Sequence, residues 1–113
     1  MGGGDLVRTE VQRYTDGVAP ELDPELLVPE AISRCADLRE GLVEIWDQLT
    51  SEERDLVHQT DQVLIANAAR VAPFWAKELA EDREALDIPQ AHWWWFLDNV
   101  ADGSYPRELL PEL

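Results

Sequence analysis

Residues His92-Trp93-Trp94-Trp95-Phe96-Leu97 carry five rings in succession. Neighbouring residues of an α-helix point about 100° apart, so five adjacent rings sweep its whole circumference. A helix that is apolar all round must be central in its fold or covered by a partner. A core on one side would take Trp93, Phe96, Leu97 and Val100, leaving Trp94 and Trp95 pointing elsewhere. Either this helix is the centre of a small bundle, or Trp94 and Trp95 anchor a partner, since Trp is over-represented among the residues that dominate interface energies. On the second reading His92, Phe74 and Trp75 join the binding surface, and Asp98 and Asp102 supply a polar rim. That reading expects Trp93→Ala to damage folding and at least one of its two neighbours not to.

The surrounding chain reads as helices. No segment alternates apolar and polar residues for long enough to make a strand, and proline and glycine divide the sequence into helical lengths. A first helix spans 5–15, with Leu6, Val7, Val11 and Tyr14 on one face and Gly17 as its stop. Residues 1–4 read as a flexible lead-in and 18–28 as a proline-punctuated connector with a short turn from Asp23. A second helix spans 29–49, with a stripe of Ile32, Cys35, Leu42, Val43, Trp46 and Leu49. Gly41 in its middle costs about 1 kcal/mol against alanine unless another helix crosses closely there. Thr50 and Glu53 have capping-box spacing at the start of a third helix, whose stripe is Val57, Leu64, Ala68, Val71 and Trp75. Pro73 either kinks that helix or starts a new one. A last helix spans 87–101, opened by Asp87 as N-cap and ended by Gly103. The tail, 104–113, docks Tyr105, Leu109 and Leu110 or frays. The expected fold is one all-α domain over 5–103, a bundle of four to five helices around an antiparallel hairpin turning at Thr50-Ser51.

Polar residues interrupt the third helix. Thr60 and Asp61 read as the solvated edge of the stripe, whereas Asn67, among alanines, is balanced between the edge and a buried register-setting role. Chemistry is sparse. Asp55 and His58 have the spacing of a carboxylate-bridged metal bundle, but His92 has no acid three residues before it, so a solvated acidic face is the better reading. Cys35 lies on an apolar stripe, where a free cysteine behaves as a small hydrophobe. Nucleophile elbows, phosphate loops, dinucleotide fingerprints and zinc spacings are lacking. No catalytic residue, metal or cofactor is expected.

Charge directs the functional reading. The chain has 113 residues with 24 acidic and 9 basic side chains, a net charge of −15. Direct nucleic-acid binding and anionic membranes are disfavoured by repulsion. Lys77 is the only lysine, and few lysines among many acids also mark a salt-adapted surface. One cysteine permits no intrachain disulfide, and neither a secretory signal nor a spanning segment is evident, so the cytoplasm is the expected compartment. The sequence therefore points to a small acidic binding protein: an adaptor, assembly factor or inhibitor for a protein with a basic surface, with homodimerisation as one form of that binding. The alternatives are a nucleic-acid mimic that occupies a basic groove, and a helical bundle that cages a small aromatic or cationic ligand among its tryptophans.

Overall fold

A computed structural model describes residues 2–18 and 28–111, with the side chains of 2–8 outside the described set. The connector's turn at Asp23 therefore lies outside the described residues. Five α-helices follow in order: α1 (Gly2–Val18), α2 (Pro29–Glu44), α3 (Ser51–Ala66), α4 (Ala68–Ala85) and α5 (Leu97–Asp102). Single 3₁₀ turns lie at Trp46–Gln48, Trp93–Trp95 and Arg107–Leu109. Among the described residues there is no strand, and no helix is long and apolar enough to cross a membrane. The chain folds as an all-α bundle.

The hairpin between α2 and α3 is set by local chemistry at residue 50. Thr50 Oγ1 accepts from the Glu53 backbone N–H at 3.1 Å, and Glu53 Oε1 accepts from the Thr50 N–H at 2.8 Å, completing the capping box. Leu49 is buried beneath it. Contacts then pair off on either side of the turn. Arg54 donates to the Trp46 carbonyl at 3.0 Å, His58 meets the Trp46 ring edge-on at 5.4 Å, and Arg39 reaches Asp61. That order is antiparallel. The two helices meet through long side chains, because α1 packs its backbone closely against both. Val11, Tyr14 and Val18 form α1's buried face, at helical spacing.

Several boundaries differ from expectation, each for a local reason. Helix α1 begins at Gly2 instead of after a glycine lead-in; glycine weakens a helix by about 1 kcal/mol per residue without forbidding it. Helix α2 stops at Glu44, and the chain tightens into the 3₁₀ turn before Leu49, which leaves Val43 39% exposed instead of on the core stripe. Among the described residues nothing lies within 4 Å of where a Cβ would stand at Gly41, so no close crossing of a described helix explains it. The break expected near Pro73 falls at Asn67, whose Nδ2 donates to the Val63 carbonyl at 2.8 Å and closes α3. Pro73 then sits inside α4. Asp87 is not an N-cap. With φ 52° it is the left-handed residue that ends α4, its N–H donating to the Glu84 carbonyl at 3.2 Å and that of Ile88 to Arg83 at 3.0 Å. This is a Schellman closure, and aspartate tolerates the conformation better than most residues. Gly103, φ 83°, ends α5 as its position predicts. Tyr105 is buried beyond it, with Leu109 and Leu110 against the core.

The largest correction concerns Thr60 and Asp61, which are buried rather than solvated. Asp61 is 1% exposed and accepts from Arg39 Nε at 3.0 Å, Arg39 Nη2 at 3.1 Å and the Tyr14 hydroxyl at 2.5 Å. The Thr60 hydroxyl donates to the Leu56 carbonyl at 2.9 Å and lies 3.1 Å from that of Thr15. A charge enters an interior only when paired and hydrogen-bonded, and these partners meet that requirement with groups from three helices.

Two outcomes follow from this network. Removing one charge, by Arg39→Met or Asp61→Leu, should cost about 3–5 kcal/mol, because the other is left buried and unpaired. The double variant should lose clearly less than the sum of the two, as chemical denaturation of all three proteins would measure. Alkaline stability is the second. Burial, reinforced by Asp61, holds the Tyr14 hydroxyl well above its ordinary range and lifts the Cys35 thiol from 9.0 to about 12. The unfolded chain loses these protons first, so stability should fall as pH rises from about 9 towards 12. Tyr14→Phe should flatten part of that fall in a pH series of melting curves.

Candidate functional site

The tryptophan run does not form a helix of its own. After the α4 closure the chain turns through Pro89, where the His92 N–H donates to the Pro89 carbonyl, and winds one 3₁₀ turn at Trp93–Trp95 before α5 begins. This spares the chain a straight helix with rings all round. Instead Trp93, Trp94 and Trp95 are all buried, splayed between α2, α4 and α5. Trp93 packs edge-on against Trp94, and His92 stacks on Trp94 at 4.7 Å.

A turn this irregular leaves backbone carbonyls without helical partners, and buried carbonyls need donors. The bundle supplies them from side chains. Trp75 Nε1 donates to the Trp94 carbonyl at 2.8 Å, and Arg83 Nη1 to that of Trp95 at 2.9 Å. The Tyr105 hydroxyl donates to the Gln90 carbonyl. Arg83 also holds Asp98 at 2.7 and 3.0 Å, with its guanidinium 5.0 Å from the Phe96 ring.

Glu40 on α2 gathers the polar edges of the rings. Its Oε1 accepts from Trp94 Nε1 at 3.1 Å and Trp95 Nε1 at 2.9 Å, and lies 2.9 Å from His92 Nδ1. The adjacent Arg39 places its guanidinium over Trp94 at 4.4 Å and Trp46 at 5.4 Å. Its Nη1 is buried with no hydrogen-bond partner among the described residues, and the flat faces of the two indoles lie against the guanidinium. The face of Trp94 that a cationic ligand would seek is thus filled by the chain's own cation.

The residues expected to bind a partner fall in different places. Trp75, Trp94 and Trp95 are 0%, 4% and 2% exposed, so their rings form the core of this fold instead of anchors on its surface. Their indole N–H groups all find acceptors inside the domain, which is what allows Trp to be buried. His92 is half-buried against Glu40. Phe74 alone of the five faces outward, 37% exposed on the far side of α4. His58, whose spacing from Asp55 is weighed for metal and set aside, meets Trp46, and no group of three or more His, Cys, Asp or Glu is gathered to hold a metal ion among the described residues.

The surface shows where charge remains uncompensated. Arg39 is buried on Asp61, Arg83 is turned into Asp98, and Arg54 is spent on a backbone carbonyl. Six basic side chains are then left to face the 22 acids other than Asp61 and Asp98. Carboxylates crowd along the seam of α2 and α4, where partial burial and then the fields of Asp82 and Glu40 push the Asp37 carboxyl above its ordinary range. Sequence reasoning missed Arg39, Glu40 and Arg83. A signal existed for Arg39, which falls on the same helical face as Cys35 and Leu42, opposite in charge to the Asp61 that interrupts the third helix. Glu40 meets rings more than fifty residues away, and nothing local announces that contact.

Each ring of the turn is therefore structural. Trp93→Ala, Trp94→Ala and Trp95→Ala should each cost about 3–5 kcal/mol in denaturant melts, with no one of the three spared. Glu40→Ala should cost about 1–3 kcal/mol by stranding two indole donors, and Glu40→Gln should lose less because an acceptor remains.

Compared with known protein families, curated proteins and solved structures, the chain matches none.

Proposed function

We propose that this protein acts by binding a partner protein with a basic surface, as an adaptor, assembly factor or inhibitor. The observation that carries this reading is the surplus of acids over the cations left outside the fold, with carboxylates gathered on α2 and α4. Arg39, Arg54 and Arg83 serve the fold, and the six basic side chains that remain are outnumbered by the 22 acids other than Asp61 and Asp98. Asp37 beside Glu40 and Asp82 is the densest described example, and there a lysine or arginine from a partner would relieve repulsion between like charges. The tryptophans support that surface from behind by fixing α2 against α4. Long-range attraction speeds encounter and favours cationic partners over others.

The test is retention of proteins from a cell extract on the immobilised chain. At low salt the retained proteins should be enriched in basic ones, and they should elute by about 0.5 M salt, where screening acts within a few ångströms. Asp37→Lys with Asp82→Lys should weaken that retention while leaving the circular dichroism unchanged. Retention with no bias to basic proteins, or one that survives salt and both substitutions, would remove the reading's support.

A further inference from the structure

Helix α4 carries a second exposed face, opposite to the one that builds the core. Ala68, Val71, Trp75 and Leu79 point inward, whereas Arg70, Phe74, Lys77 and Glu81 are exposed. At helical spacing these four lie within an arc of about 60°, in a straight row along the helix. Arg70 and Lys77 have no ion pair among the described residues. The row also has an internal order: a cation at one end, an anion three turns on, and an aromatic ring and a second cation between them.

That order is self-complementary under a two-fold axis. When two copies of α4 lie antiparallel, with the axis between residues 75 and 76, levels along the helix match in pairs. Arg70 faces the partner's Glu81, and Phe74 faces the partner's Lys77. Each contact occurs twice, and no like charges of the row are opposed. We infer that the outer face of α4 is the contact surface of a weak homodimer, sealed by two Arg70–Glu81 ion pairs and two Phe74–Lys77 cation–π contacts between copies. Charge complementarity selects a second copy as the occupant. A different acidic protein would suit the two cations but would meet Glu81 with a like charge. A single pair of helices buries less than the roughly 800 Å² per partner of a standard interface, so the dimer is a low-affinity one. The net charge of −15 on each copy opposes approach, and salt that screens this long-range repulsion leaves the close contacts partly intact. The inference is independent of the basic-partner reading and uses another part of the surface.

Sedimentation equilibrium on the whole chain tests it, at about 0.15 M salt and from micromolar to roughly millimolar protein. The average mass should rise with concentration towards that of two chains. Phe74→Asp, Arg70→Glu and Glu81→Arg should each hold the protein monomeric with unchanged circular dichroism, because all three sites are exposed. The double exchange Arg70→Glu with Glu81→Arg should restore association. A monomer at every concentration overturns the inference, as expected if another protein occupies this face. A dimer indifferent to the single substitutions, or one not restored by the double exchange, overturns it equally.

Discussion

The guanidinium of Arg39 is where the parts of this bundle meet. Its Nε and Nη2 edge is fixed to Asp61 of α3, which also holds Tyr14 of α1. Its face lies on Trp94 of the aromatic turn and on Trp46 in the 3₁₀ turn that follows α2. One planar cation thereby joins hydrogen-bonding geometry in its plane to ring contacts above it, a combination that lysine cannot provide. A buried ion pair is weak evidence of stability, because desolvation offsets most of its attraction. Its effect here is on specificity. Alternative packings of three amphipathic helices would strand a charge, so the register of α1, α2 and α3 is tied to one arrangement.

Glu40, the next residue, extends the same end of α2 towards the aromatic turn. Arg39 addresses the face of Trp94, and Glu40 its N–H edge. The turn is held from the other side by Trp75 and Arg83 of α4. Between them these groups satisfy the carbonyls and the indole N–H groups of Trp94 and Trp95, in a segment whose own backbone bonds make only a single 3₁₀ turn. The turn can thus be irregular and buried at once, a combination normally forbidden by the cost of unpaired backbone groups.

The fold class was legible because its signals are local or periodic. The capping box at Thr50 and Glu53 needs only four residues, and Gly103 only its own backbone angle. The stripe of Val57, Leu64, Ala68, Val71 and Trp75 predicted a buried face, and all five are buried. What was illegible depends on tertiary context. Asp61 and Thr60 look like the edge of a stripe until Arg39, Tyr14 and Thr15 arrive from other helices. Asp87 before Ile88-Pro89 carries the letters of a helix start, yet the conformation it adopts is a helix end, and both uses suit aspartate. Trp94 and Trp95 could be assigned to core or surface only once it was known that their helix does not form. The row of Arg70, Phe74, Lys77 and Glu81 had its spacing in plain view, but exposure was needed to give it meaning.

Core and surface are linked through the small number of cations. With 9 basic side chains against 24 acids the exterior is negative by composition, and the Arg39–Asp61 and Arg83–Asp98 pairs enter the fold without changing that balance. A surface pair contributes only about 0–1 kcal/mol, so keeping Arg39 and Arg83 outside would have gained little stability. Placed inside, they organise the meeting of α1, α2 and α3 and, with Glu40 and Trp75, the seating of the aromatic turn. A partner that brings cations to α2 and α4 would meet an acid surplus that the composition sets and the buried pairs leave unchanged.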